Sequence, residues 1–195
     1  MELLLVRHAR PFRSSDPAGA DPDLMPEGQE QARRLAKALA DGRYGPVSRL
    51  VSSPMRRATQ TAGFARESLS LELALDPRLV ELSHGWPAYG IAEAYTDRRL
   101  LLDHMNAGRL GDNTFDVDRF RARVVDGIEA LTDRDDDSAT VIVCHGGVVN
   151  AYLSHVIGAP KTFFVDPFYT SVSRVLALPG GYREVLSLNE IDHLR

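Results

Sequence analysis

Four consecutive apolar residues, Leu3-Leu4-Leu5-Val6, run directly into Arg7-His8. A strand that is apolar at every position offers no face to water, so it belongs in a sheet covered on both sides. Parallel strands joined through helices meet that requirement. Thr140-Val-Ile-Val143 has the same character and leads into Cys144-His145-Gly146-Gly147. In both places residues able to do chemistry follow the last apolar position. In open α/β sheets, ligands bind at the carboxyl ends of strands.

The intervening sequence alternates between strand and helix patterns. Glu27 to Asp41 reads as a helix, because Ala32, Leu35, Ala36, Leu39 and Ala40 share one face, with Pro26 in its first turn and Gly42 at its stop. Val47 to Val51 is a second strand. Ser53-Pro54 suits the cap and first turn of a helix carrying Arg56 to Ala65. A short strand near Leu71 to Leu75 follows, then an irregular stretch over 81–90 containing Gly85, Pro87 and Gly90. Ile91 to Asn106 reads as helical. Phe120, Val124, Ile128 and Leu131 mark another helix, and Val148 to Ile157 a further one stopped by Gly158. Val172 to Leu178 and Glu184 to Leu188 form a closing pair joined through Pro179-Gly180-Gly181. The Asp-rich run at 133–137 reads as a solvated turn between helix and strand. The expected architecture is a three-layer α/β/α domain over 1–195, with a mostly parallel sheet and an antiparallel edge strand.

With 195 residues, a single domain is the default, and a chain of this size buries roughly 70% of its unfolded surface. A net charge of −4 argues against a nucleic-acid partner, since such domains carry basic faces. No apolar run reaches the roughly 18 residues a membrane helix needs, and no cleavable leader is evident. The single cysteine, Cys144, permits no internal disulfide. These features together lead us to expect a cytoplasmic protein.

Four segments carry residue types suited to chemistry. Arg7-His8 joins a rigid guanidinium fork to an imidazole that acts near neutral pH. Ser52 to Ala62 opens a helix, whose N-terminus favours an anion, and places Arg56 and Arg57 in its first turn. His145-Gly146-Gly147 repeats the strand-then-histidine design, with glycines that admit close backbone approach. Glu81, followed by Leu82-Ser83-His84-Gly85-Trp86, is a candidate general acid. Taken singly, each has an ordinary alternative: an ion-paired strand end, a charged helix surface, two unrelated histidines, a solvated carboxylate.

Taken together, the four resemble the histidine phosphatase superfamily, also called the phosphoglycerate mutase-like family, over essentially the whole chain. Arg7-His8 matches its Arg-His signature, with Ala9 in place of the usual Gly. Ser52 to Ala62 resembles the second signature, in which the phosphate-binding Arg precedes Ala; that residue is Arg57, not Arg56. Glu81 stands where the family carries its acid, and His145 matches the second histidine. Leu24, Gly28 and Gln31-Ala32 match the first helix.

The resemblance implies a phosphoglycerate mutase-like fold and a metal-independent phosphatase of small phosphorylated molecules. His8 would be the nucleophile that forms a phosphohistidine, and Glu81 the proton carrier. Arg7, Arg57, protonated His145 and amides near Gly146 would bind phosphate. No cofactor or metal is implied. Residues 81–116 are expected to form a lid, and a homodimer is the working expectation for assembly. Two rival functions are a phosphoglycerate mutase, which is usually longer, and a catalytically silent phosphate-binding module.

Several positions depart from the family pattern. Ser14 replaces an Asn that often touches phosphate or substrate. Arg10 replaces an acidic residue; it either reads a second anionic group or sits on the rim in an ion pair. Met25 replaces the usual capping residue, and Trp86-Pro87-Ala88 replaces Trp-Glu-Gly. His84 shares a loop with Glu81, while His104, His155 and His193 read as structural.

Overall fold

The computed structural model describes residues 1–17, 19–132 and 137–195. The Asp-rich run falls mostly on 133–136, outside the described residues. In chain order the strands are β1 (Glu2–Arg7), β2 (Ser14–Ser15), β3 (Val47–Ser52), β4 (Leu73–Leu75), β5 (Ala88–Tyr89), β6 (Arg109–Leu110), β7 (Asn113–Thr114), β8 (Ala139–Cys144), β9 (Val172–Ala177) and β10 (Arg183–Glu190). The α-helices are α1 (Pro26–Ala40), α2 (Arg56–Leu69), α3 (Arg98–Asn106), α4 (Val117–Glu129) and α5 (Gly146–Val156).

Six strands form the central sheet in the order β10-β9-β1-β8-β3-β4. The neighbours β1-β8, β8-β3 and β3-β4 are parallel, as the fully apolar strands require. β9 runs antiparallel to β1, and β10 pairs antiparallel outside it. The antiparallel strand expected at the edge is therefore second from the edge.

Side-chain alternation divides the core into two layers. Leu4 and Val6 of β1, with Val141 and Val143 of β8, pack against Leu35 and Leu39 of α1 and Ala58 and Ala62 of α2. Leu3 and Leu5, with Ile142 and Cys144, face the opposite way onto Phe120, Val124 and Ile128 of α4 and Tyr152 of α5. Because both faces are covered, β1 and β8 need apolar residues at consecutive positions.

Helix boundaries follow local chemistry. Pro26 opens α1, and Gly28 lets that helix lie against the chain at Arg10, where any Cβ would strike the Arg10 backbone. The helix expected over 91–106 is split into a 3₁₀ turn at Ala92–Ala94 and then α3. The break occurs at Asp97, whose carboxylate accepts the Arg99 and Leu100 amides at 2.9 and 3.1 Å and so starts a new helix. α5 begins at Gly146, two residues earlier than the periodicity suggests, and α2 begins at Arg56 behind Met55. Among the described residues, no helix is long and apolar enough to cross a membrane.

Leu5 is wholly buried at the centre of one core layer. Leu5→Ala should cost about 2–5 kcal/mol in urea unfolding. A loss under about 1 kcal/mol would mean that this layer is not close-packed as described.

Candidate active site

The parallel register determines which residues meet. Arg7 of β1 pairs with Cys144 of β8, and Ser52 of β3 pairs with Val143. One step beyond the ladder, the His8 amide donates to the Cys144 carbonyl at 2.9 Å, and the Ser53 amide donates to the Val143 carbonyl at 2.9 Å. His8, His145 and Ser53 are thereby brought to one sheet edge. The two imidazole centroids lie 5.1 Å apart, and Ser53 Oγ is 2.8 Å from His145 Nε2.

His8 is almost fully buried. Its Nδ1 lies 2.8 Å from the Ala9 carbonyl, which can only accept, so Nδ1 carries the proton. The Ala9 amide is in turn held by Thr61 Oγ1 at 2.9 Å. Nε2 is left as a lone pair, and Arg57 Nε donates to it at 3.2 Å. Burial, then the Arg57 and Arg7 guanidiniums, hold His8 well below the ordinary histidine range. Burial, then Arg57, His8 and Arg7, do the same to His145. His145 therefore stays neutral until a negative group enters beside it, which is the condition under which the protonated His145 anticipated from sequence would arise.

The two arginines differ in their surroundings. Arg57 is wholly buried, pairs with Asp21 at 3.0 Å and lies 4.8 Å from the Tyr89 ring centroid. Arg7 lies 4.1 Å from the Tyr169 ring centroid. Its NH1 donates to the Pro167 carbonyl at 2.5 Å and to Asp166 at 3.3 Å, and its NH2 reaches Glu93 at 3.5 Å. Arg7 Nε and His145 Nδ1 are buried polar atoms with no hydrogen-bond partner among the described residues. Buried polar atoms in this state are costly unless a ligand satisfies them.

Glu81 is docked on the start of α5. Its Oε2 accepts the Gly147 amide at 2.9 Å, and its Oε1 accepts the Leu82 amide at 2.8 Å. A Cβ on Gly147 would collide with this carboxylate, so a larger residue there would push the Glu81 side chain from its place. The glycine thus admits Glu81 rather than an incoming ligand. The N-terminus of α2 is likewise occupied, because the Arg56 amide donates to Asp21 at 2.8 Å. Arg123 fixes the approach to Glu81 by donating to the carbonyls of Arg78 and Val80 at 2.5 and 2.9 Å.

A cavity at this edge is lined by Arg7, His8, Arg57, Glu81, Gly146 and Gly147 on one side. Residues between Leu82 and Leu110, with Asn150 and Val165 to Pro167, complete it. Arg10 and Ser14 are not among the described residues lining it. Arg10 is half exposed and paired with Glu27 at 2.8 Å, and Ser14 is the backbone partner of Tyr89. His84 is exposed, and Trp86 from the same loop lines the cavity instead. Arg56 points outward and pairs with Asp23. Among the described residues, no cluster of three or more His, Cys, Asp or Glu side chains is placed to hold a metal ion.

Sequence reading missed Tyr89, Glu93, Asp166 and Tyr169, which surround the Arg7 guanidinium, and Asn150, which ties their loop to α5. Asn150 Nδ2 donates to the Gly146 and Val165 carbonyls, both at 2.8 Å.

The family model of the histidine phosphatase superfamily, branch 1, matches residues 3–191. A probable phosphoglycerate mutase of Enterobacter is 25% identical over 168 residues, covering 82% of this chain and 76% of that protein. Phosphoserine phosphatase 1 of Hydrogenobacter thermophilus is 34% identical over 90 residues, covering 44% of this chain and 40% of its own. The chain thus spans about three-quarters of the first relative and less than half of the second. Among solved structures, a mycobacterial glucosyl-3-phosphoglycerate phosphatase superimposes with a TM-score of 0.75 at 21% identity, covering 96% of this chain and 98% of that one. A phosphoserine phosphatase from Entamoeba histolytica, in complex with 3-phosphoglyceric acid, gives 0.75 at 16% identity, covering 100% and 99%. These two likenesses establish the fold.

The tautomer is directly measurable. At about pH 6.5, where an ordinary histidine is half protonated, nitrogen NMR should find His8 neutral with its proton on Nδ1. A ring half-protonated at that pH, or protonated on Nε2, would contradict this arrangement.

Proposed function

This chain belongs to the histidine phosphatase superfamily, branch 1, and on that premise we propose that it is a metal-independent phosphomonoesterase acting on a small phosphorylated metabolite. The observation that carries the reading is the His8 ring, which is neutral, fixed by the Ala9 carbonyl and turns its bare Nε2 toward the Arg57 guanidinium. A nucleophile needs that lone pair, and a phosphoryl group needs that positive charge.

The reaction proceeds in two balanced steps. His8 Nε2 bonds to phosphorus while the ester P–O bond breaks, and Glu81 gives the leaving oxygen a proton. Water then bonds to phosphorus while the P–N bond breaks. Glu81 takes the water's proton, and His8 returns to its neutral form with Nδ1–H intact. Arg7, Arg57 and the backbone at Gly146 hold the phosphoryl oxygens. The unpartnered Arg7 Nε and His145 Nδ1 support their assignment as phosphate contacts. Once a phosphate dianion is beside it, His145 gains a proton and adds a further positive charge. We assign residues 81–116 as the lid, since several of the cavity's apolar walls come from Leu82 to Leu110. The proposed setting is the cytoplasm, with the chain acting on a small molecule rather than on nucleic acid.

The alternative is phosphoryl transfer of the phosphoglycerate mutase type. It differs in the fate of the phosphohistidine, which returns to the same carbon skeleton rather than to water. The complete set of Arg7, His8, Arg57, Glu81 and His145 speaks against a silent binding module.

His8→Ala should abolish both phosphate release from para-nitrophenyl phosphate and phosphoenzyme labelling. Retained turnover would overturn the mechanism, and 3-phosphoglycerate isomerisation without net phosphate release would favour the mutase. Arg57→Ala should lower kcat/KM by roughly 100-fold or more, as removal of one preorganised donor does. Arg56→Ala, on an exposed pair with Asp23, should change it little, and the opposite ranking would reassign the phosphate site. Glu81→Gln should slow alkyl esters more than aryl esters, because aryl leaving groups need less protonation. Equal losses on both would remove Glu81 from that role. EDTA should leave activity unchanged; inactivation by it would reveal a required metal. Because burial and the arginines push His8 downward, the base form persists below the ordinary range. The acid limb of kcat/KM should therefore fall below about pH 6.5, the ordinary histidine midpoint, when measured across a buffer series.

A further inference from the structure

Part of the cavity wall is apolar, in contrast to the charged part formed by Arg7, His8, Arg57 and Glu81. Leu82, Trp86, Ile91, Leu102, Met105 and Leu110 line the apolar part. Leu102 and Met105 come from α3, and both also pack on the main core cluster. The Trp86 ring stands 6.1 Å from Phe115, which stands 6.0 Å from the buried Phe163, so this wall is continuous with the core. Phe163 is also tied to α3 through Asn106, which accepts its amide at 2.9 Å.

The charges are arranged unequally. Among the described residues lining the cavity, the arginines and lysines are Arg7 and Arg57, and both are needed at the phosphoryl group. The other charged groups are carboxylates. Glu93 receives the Tyr169 hydroxyl at 2.7 Å, and Asp166 is shared between Arg7 and Arg98. A leaving group bearing its own carboxylate or second phosphate would enter beside Glu93 and Asp166, and Arg98, the further arginine at Asp166, is already paired there and is not among the described residues lining the cavity. Removing such a charge from water without a partner is strongly unfavourable. An alkyl or aryl group entering the same space loses only its contact with water, which is favourable.

We propose that the substrate is a phosphomonoester whose alcohol portion is apolar and uncharged, seated against α3 and Trp86, and not an anionic ester such as phosphoglycerate. This assignment rests on the phosphomonoesterase reading for its chemistry, but the pocket's preference is measurable without turnover.

The test is calorimetric binding of non-hydrolysable phosphonates to the intact protein. Propyl-, butyl- and hexylphosphonate are compared with phosphonates of matched length ending in a carboxylate or an ammonium group. Affinity for the alkyl series should rise roughly threefold to fourfold per buried methylene, and a terminal charge of either sign should remove that gain. Met105→Lys should flatten the alkyl series and strengthen the carboxylate series. Ile91→Asn, in the irregular segment before α3, should flatten the alkyl series if the lysine variant does not fold.

A flat alkyl series, or tighter binding of either charged series by the wild type, would overturn the proposal. So would failure of every phosphonate to bind. Parallel assays with para-nitrophenyl phosphate separate the two readings. Chain-length-dependent binding without turnover would sink the phosphatase and uphold the pocket. Turnover with a flat series would do the reverse.

Discussion

The site depends on the hydrogen-bonded register between β1 and β8. Because Arg7 sits opposite Cys144, the next residue on each strand is a histidine, and the two rings are 5.1 Å apart. A slip of one residue would turn the inward set of each strand onto the other layer, exchanging Leu3 and Leu5 with Leu4 and Val6. The two core layers oppose such a slip, since α1 and α2 fit one set and α4 and α5 the other. Packing far from the sheet edge thus fixes the distance between the two histidine rings. β3 joins the same arrangement by bringing Ser53 against His145, so three parallel strand ends contribute to one constellation.

That constellation holds two arginines, each paired with a carboxylate of the fold. Arg57 is fully buried, and its ion pair is with Asp21, a residue of the loop before α1. Arg7 has carboxylates at the cavity side and the Tyr169 ring against it, yet its Nε has no partner. Burying a guanidinium is costly unless its donors are satisfied. Burial and the same guanidiniums lower both histidines, so on the proposed mechanism His8 keeps its lone pair beside the groups that would attract the phosphoryl group. One arrangement therefore has two consequences: an anion is drawn in, and His8 stays unprotonated to meet it. The arrival of the anion shifts the balance at His145, which sits in the same field and responds to the charge.

Much of this was legible in the sequence because its signals are local. Leu3 to Val6 and Val141 to Val143 are apolar at every position, and topology alone makes the residues that follow them candidates for a site. The order of Arg7-His8, Arg57, Glu81 and His145 was readable through family resemblance, and the structure brings all five to one edge. What escaped was set by tertiary contact. Tyr89, Glu93, Asp166 and Tyr169 come from irregular segments far apart in the chain, with no period to mark them. The helix over 91–106 was drawn too long because its apolar spacing continues past Asp97, whose side chain starts a new helix. Ser53 has the chemistry of a helix cap, yet its hydroxyl meets both the Met55 amide and His145. Arg10 faced two readings from sequence; it is half exposed, pairs with Glu27 at 2.8 Å and is not among the described residues lining the cavity.

The two ends of the cavity answer to different parts of the chain, and this limits what the fold can say about substrate. The phosphate end is built from the ends of β1, β3 and β8 and the first turn of α5. Any chain with this sheet and these residues will make it. The leaving-group end is built largely from residues 82–110, between β4 and α4, where the sequence also departs from the family pattern at Trp86-Pro87-Ala88. Pro87 and Gly90 bracket β5, and β5 carries Tyr89 onto the Arg57 guanidinium. Changes in this segment alter what the leaving group touches while leaving the sheet register untouched. Relatives that superimpose along nearly the whole chain can therefore share the phosphoryl chemistry and still differ in the alcohol they release. The chemical character of the 82–110 wall, not the overall likeness, is the physical determinant of that choice.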